Sequence, residues 1–180
     1  MWQMPSRVTV TAGYSRVMVR TAILTVSDSG AGDESEDRAA QAIRQVLKGG
    51  PFVEVDYQSV QDQQALIRAK LRVWCDQGNV DLILTTGGVG LGKKDRTPEA
   101  TAEVIEREVP GLPEAMRAAL AKDRPLAVLS RGLAGVRRST LIVNLPPMPD
   151  AASSALAAVI TALAFAVEEL RGEKVVPPAG

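Results

Sequence analysis

Between residues 81 and 100 an apolar run, DLILTT, passes straight into GGVGLGKKDRTPEA. No other segment leaves so few folds open. The run is too short for a helix and rich in branched apolar side chains, so it reads as a buried strand. Glycines at 87, 88, 90 and 92 then turn the chain. Thr97-Pro98 opens a helix, with proline near its start, where a missing N–H is tolerated. A strand, a glycine-rich turn and a helix in that order gather backbone N–H groups around one point, which suits an anion. Glycine lets the backbone approach phosphate oxygens closely. Asp95 follows, hemmed in by Lys93, Lys94 and Arg96. A carboxylate beside a phosphate cradle is a natural magnesium ligand. The segment predicts nucleotide chemistry.

The rest of the chain alternates in the same way. Periodicity predicts strands at 21–26, 52–60, 80–85, 126–129 and 141–144. Helices are predicted at 37–47, 63–77, from 97, at 112–121 and at 151–167, with Asp62 and Asp150 as candidate N-caps. Such alternation indicates an α/β domain around a mostly parallel sheet. Ligands of these sheets gather at the carboxyl ends of the strands. Those ends are expected to carry Ser27 and Asp28, then Asp62, then the glycine loop and Asp95, then Ser130 and Arg131, and lastly Asn144. Arg131, Arg137 and Arg138, set among Ser130, Gly132, Gly135 and Ser139, suit a second anion site.

Composition removes several classes of function. Lys+Arg and Asp+Glu both total 21, aromatics are 3% and no basic stripe is visible, so nucleic acid is not an expected partner. One cysteine, Cys75, excludes an internal disulfide framework. With no histidine, a Ser-His triad and a histidine-bound zinc are excluded too. Catalysis must then use carboxylates, cations, hydroxyls, backbone amides and a hard metal. At 180 residues one domain is expected. Residues 1–20 read as an extension, either a flexible arm or a start-site artefact with Met18 as the true start. Residues 173–180 read as a tail. Segment 151–167 lacks charge but carries Ser153, Ser154 and Thr161. It reads as a buried helix, not a membrane span, so a soluble cytoplasmic protein is expected. Gly87, Gly92 and Lys93 match part of a P-loop pattern, but Lys94 stands where Ser or Thr would hold magnesium, so the match is read as accidental.

The set TVSDS (25–29), DLILTTGGVG (81–90), DRTPEAT (95–101), SRGLAGVR (130–137) and LIVNLPP (141–147) resembles the molybdopterin adenylyltransferase family of molybdenum-cofactor biosynthesis, the MoaB–Mog group. The same domain forms part of gephyrin-like proteins. The resemblance spans 21–172 and implies a three-layer α/β/α sandwich with a mixed, mostly parallel sheet, usually a homotrimer. It implies transfer of AMP from Mg-ATP to the terminal phosphate of molybdopterin, releasing pyrophosphate, with the product passed to a molybdate-inserting enzyme. By motif position, Asp62 and Asp95 are implied to be catalytic, acting through Mg2+. Gly87, Gly88, Val89 and Gly90 are implied to form the nucleotide loop. Ser27, Asp28, Thr97, Pro98, Glu99, Ser130, Arg131, Gly135, Arg137, Asn144 and Pro146 are implied to line the pocket. A phosphate monoester is already anionic near neutral pH and attacks without a histidine base, so alignment and charge neutralisation suffice. The chain departs from the family pattern at Gln61, Val89, Arg138 and Pro147. Val89, in place of a threonine, keeps open a non-catalytic molybdopterin-binding carrier or scaffold.

Overall fold

The computed structural model describes residues 18–28 and 37–172. Its strands are β1 (Val19–Val26), β2 (Phe52–Val60), β3 (Leu82–Thr86), β4 (Arg107–Glu108), β5 (Ala134–Arg137) and β6 (Thr140–Leu145). They form one sheet of order β2-β1-β3-β6-β5-β4. The first four in that order are parallel, while β5 runs antiparallel to both β6 and β4. The helices are α1 (Arg38–Leu47), α2 (Gln64–Gln77), α3 (Thr97–Ala102), α4 (Gly111–Ala121) and α5 (Pro149–Leu170).

Strand alternation decides which helix covers which face. Leu82, Leu84, Leu141 and Val143 join a core with α1, α4 and α5. Their neighbours Ile83 and Ile142 point the other way, to Ile67, Leu71 and Trp74 of α2 and Ala100 of α3. The result is the expected three-layer sandwich. Each of these fully buried branched side chains contributes about 1.5–3 kcal/mol of burial free energy. Cys75 is buried in the α2 layer, and burial pushes its thiol up to about 11, so it packs and does not react. Helix α5 is long and apolar enough to cross a bilayer, with mean hydropathy 1.8 in its most apolar window. Its stripe Ala151, Ala155, Leu156, Val159, Leu163 and Val167 nevertheless packs into the core, as a core helix requires.

Several predicted details are corrected. Segment 126–129 is not a strand: Pro125–Leu129 is a 3-10 turn, with Leu126 and Val128 exposed. The fourth long-range strand is instead β5, hidden in a glycine-containing run. Gly135 sits there because a Cβ would lie 2.7 Å from the Arg107 carbonyl of the adjoining strand. The β5–β6 turn holds Arg138 at φ 53, a left-handed conformation that glycine adopts at less cost. Asp150 is not the N-cap of α5; Met148 occupies that position, and Asp150 lies in the first turn. Asp62 is not the cap of α2, whose N-cap is Gln63. Strand β1 starts at Val19, so Arg20, expected to lie in the extension, belongs to the sheet. Residues 1–17 of that extension, and the tail 173–180, lie outside the described residues.

Candidate functional site

The site lies where the sheet reverses its direction of growth. From β1 the chain leaves to α1 on one face and pairs β2 on one side; from β3 it leaves to α3 on the opposite face. Loops that part in this way open a crevice at the carboxyl edge. Ser27 and Asp28 follow β1, Asp62 follows β2, and the glycine loop follows β3. The predicted convergence of these segments is observed.

The loop and the two acids are built into each other. Arg96 donates its backbone N–H to Asp62 Oδ1 at 3.1 Å, and Gly92 donates its own to Asp95 Oδ2 at 2.8 Å. A Cβ on Gly88 would lie 2.7 Å from Asp62 Oδ2, and one on Gly90 or Gly92 would lie 2.7 Å from Asp95 Oδ2. The glycines therefore make room for both carboxylates, a role that pure phosphate approach does not account for. Gly88 is at φ 65, and a Cβ on Gly87 (φ 101) would run into the Val26 carbonyl at the end of β1. Asp62 and Asp95 thus flank one bend of the backbone.

Burial pushes the Asp62 carboxyl up. The Arg96 N–H opposes this, and the charges of Asp95, Asp28 and Glu99 push the same way as burial, leaving it above its usual range. The rim concentrates negative charge that a cation would relieve. Lys94 Nζ reaches Asp28 Oδ1 at 3.8 Å. Among the described residues no group of three or more His, Cys, Asp or Glu is placed to hold a metal. Magnesium is often held by one or two carboxylates, the rest of its shell coming from phosphates and water. The pair Asp62 and Asp95 fits that demand.

Other predicted positions separate into those at the rim and those elsewhere. Ser27, Asp28, Gly90, Glu99, Ser130, Arg131 and Pro146 lie at or beside it and are at least partly exposed. Thr97 and Pro98 are buried, and the Thr97 hydroxyl donates to the Gly87 carbonyl at 2.9 Å; it fixes the loop and neither caps the helix nor faces a ligand. Asn144, 2% exposed, is a strap and not a pocket wall. Its amide donates to Thr85 and Thr101 Oγ1, each at 3.0 Å, and its carbonyl oxygen accepts from Leu133 N at 3.0 Å. Gly135 and Arg137 are carried away because β5 runs backwards. Arg137 pairs with Asp76 at 3.1 Å and Glu106 at 3.6 Å, opposite the starting end of β6. The second anion site does not form as predicted.

Arg117 is a site residue that sequence reasoning does not find. From α4 it donates to the Ser130 and Gly132 carbonyls at 3.2 and 3.3 Å, shaping a cavity of about 420 Å³ beside the rim. Pro110, Pro113, Val128 and Leu133 form its apolar wall, and Glu108, Ser130 and Arg131 its polar side. No motif surrounds Arg117 in the sequence; only the distance it spans across the fold gives it a role.

Comparison with known proteins agrees with the fold and identifies the family. Residues 22–165 match the family described as a probable molybdopterin binding domain. The chain is 38% identical over 156 residues to the molybdopterin adenylyltransferase of Helicobacter pylori strain J99, covering 86% of this chain and 89% of that protein. It is 34% identical over 141 residues to that of Escherichia coli K12, covering 77% and 72%. Among solved structures, the molybdopterin biosynthesis enzyme MoaB of Thermus thermophilus shares 49% identity and a TM-score of 0.81, covering 88% of this chain and all of that one, 100%.

Proposed function

Because the chain belongs to the molybdopterin-binding domain family of molybdenum-cofactor biosynthesis, we propose that its rim adenylylates molybdopterin, taking AMP from Mg-ATP and releasing pyrophosphate. The observation that carries this reading is the packing of Asp62 and Asp95 against one glycine loop. Backbone N–H groups of the loop receive the phosphates, and the nucleophile is the terminal phosphate of the pterin, which needs no base. Asp62 and Asp95 would hold Mg2+, which when bound supplies charge neutralisation at the α-phosphate. The cavity beside Ser130 and Arg117 accepts the pterin, its proline and aliphatic wall suited to a flat ring.

Val89 bears on the carrier alternative. Its side chain is buried, 3% exposed, so a threonine hydroxyl at this position would face the interior and not a ligand. Its absence therefore removes no donor from the rim. Pro147 is exposed, one residue beyond the Pro146 carbonyl that accepts from Thr86 Oγ1 at 2.8 Å. The P-loop reading has no support here, since α3 begins at Thr97 and not at Lys93. The remaining parts of the reading are a homotrimer, a cytoplasmic location and delivery of the product to a molybdate-inserting enzyme.

Incubation of purified protein with molybdopterin and Mg-ATP is expected to yield adenylylated pterin and pyrophosphate. Tight pterin binding with no nucleotide consumed would select the carrier instead. Gly88→Ala supplies an internal control on the geometry. Its Cβ would press on the buried Thr97 hydroxyl and on Asp62 Oδ2, from a left-handed backbone. Turnover is expected to fall about 100-fold, with a stability loss of about 2–4 kcal/mol, the left-handed backbone and the crowded Thr97 adding. Unchanged turnover would show that the seating of Asp62 on the loop is irrelevant.

A further inference from the structure

We propose that Arg131 and Glu99 form a positioning clamp that sets the glycine loop and Asp95, and that Arg131 does not bind nucleotide phosphate itself. An arginine at an anionic-ligand rim is ordinarily taken for an anion ligand, yet this one is committed to the protein. Its backbone N–H donates to the Val89 carbonyl at 2.8 Å. Its side chain donates from Nε to the Gly90 carbonyl at 2.7 Å, from Nη2 to the Asp95 carbonyl at 2.7 Å, and from Nη1 to Glu99 Oε1 at 2.5 Å. One residue therefore ties both ends of segment 89–95 to the first turn of α3. A planar guanidinium reaches three acceptors in fixed directions, which an ammonium cannot.

Glu99 completes the clamp. Among the described residues its Oε2 is buried without a hydrogen-bond partner, and the charge-assisted bond from Arg131 to Oε1 compensates the desolvation. Burial pushes the Glu99 carboxyl up, but that bond, its own backbone N–H and the charges of Arg131 and Arg96 together outweigh it and hold the group below its usual range. A buried carboxylate oxygen and a guanidinium spread over two carbonyls make a rigid brace, and the brace ends on the residue whose carboxylate serves the reaction. Each partner needs the other.

The kinetic arm of the test rests on the adenylyltransferase reading; two other arms do not. Three properties of Arg131→Ala, Arg131→Lys, Glu99→Ala and the double alanine variant are to be compared with the parent: amide hydrogen exchange over residues 88–97, equilibrium affinity for Mg-ATP, and kcat for pterin adenylylation. Arg131→Ala is expected to speed exchange in that segment by about tenfold or more. Any loss of Mg-ATP affinity should appear only in variants whose exchange is also faster, and kcat should fall by about 100-fold. The double variant should lose no more than Arg131→Ala alone, and Arg131→Lys should recover little. Where Arg131→Ala does not fold, Glu99→Gln is expected to show the same exchange signature. Weakened Mg-ATP binding with unchanged exchange, or additive losses in the double variant, would overturn the clamp. A parent protein with no adenylylation would sink the functional reading alone, because exchange and nucleotide affinity would still decide whether Arg131 clamps or binds.

Discussion

Asp95→Asn is expected to lower adenylylation of molybdopterin by about 100- to 1,000-fold while the protein still folds. The asparagine oxygen can go on accepting the Gly92 N–H that Asp95 Oδ2 now accepts at 2.8 Å, so the turn of the loop survives. What disappears is the negative charge that the proposed magnesium site relies on. Asp62→Asn should behave alike, since its Oδ1 accepts the backbone N–H of Arg96, which an amide oxygen can equally serve. Initial rates of adenylylated pterin formation, read beside a thermal melt of each variant, decide the matter. A variant turning over within a few-fold of the parent would remove the corresponding acid from the mechanism.

The second large effect concerns stability and lies at the opposite end of the sheet. Asp81 is 3% exposed and is gripped by two arginines. Arg20 donates from its backbone N at 2.8 Å and from Nε at 2.9 Å to Oδ2, and from Nη2 at 2.8 Å to Oδ1. Arg171, just past α5, donates to Oδ2 at 2.5 Å and to the Met18 carbonyl at 2.9 Å. The carboxylate thus joins the first strand, the third strand and the last helix. Asp81→Asn turns an amide nitrogen toward arginine donors at a buried position, where both carboxylate oxygens now accept, and is expected to cost about 3 kcal/mol. For a chain of this size that is a fall of about 6–12 °C in the melting midpoint.

The pH dependence of that loss has a definite sign. Burial pushes the Asp81 carboxyl up, but the bonds from Arg20 and Arg171 outweigh it and hold it below its usual range. With the folded value below the unfolded one, the contribution is whole above about pH 4 and is lost as pH falls through the folded value. The gap in stability between parent and variant should therefore be full at pH 7 and narrow in acid. A gap that stayed constant down to strongly acid pH would show that charge is not its source.

Much of the architecture was legible in residue order. The buried strand at 82–86, the helix start that follows it and the glycine bend obey rules that act over a few neighbours, so pattern alone located them. Asp37, predicted as the first residue of the helix at 37–47, is instead the N-cap of α1, accepting from Ala40 N at 2.9 Å. Segment 126–129 misled because four apolar residues in a row satisfy a strand pattern, although Leu126 and Val128 face solvent beyond Pro125. The true strand, Ala134–Arg137, carries Gly135 inside it and so lacks strand propensity.

Residue order determined the alternation of strands and helices, the glycine bend after β3 and Asp95 set beside it, because backbone sterics and side-chain periodicity are local. Only the tertiary structure decided what polar side chains far from one another would touch. It turned Asn144 and Thr97 inward, sent Arg137 to the far edge by reversing β5, and committed Arg131 to carbonyls 36 and 41 residues away. A hydrogen bond forms with whichever acceptor the folded chain brings within about 3 Å, and strand order in the sheet, which no local pattern encodes, chooses that acceptor.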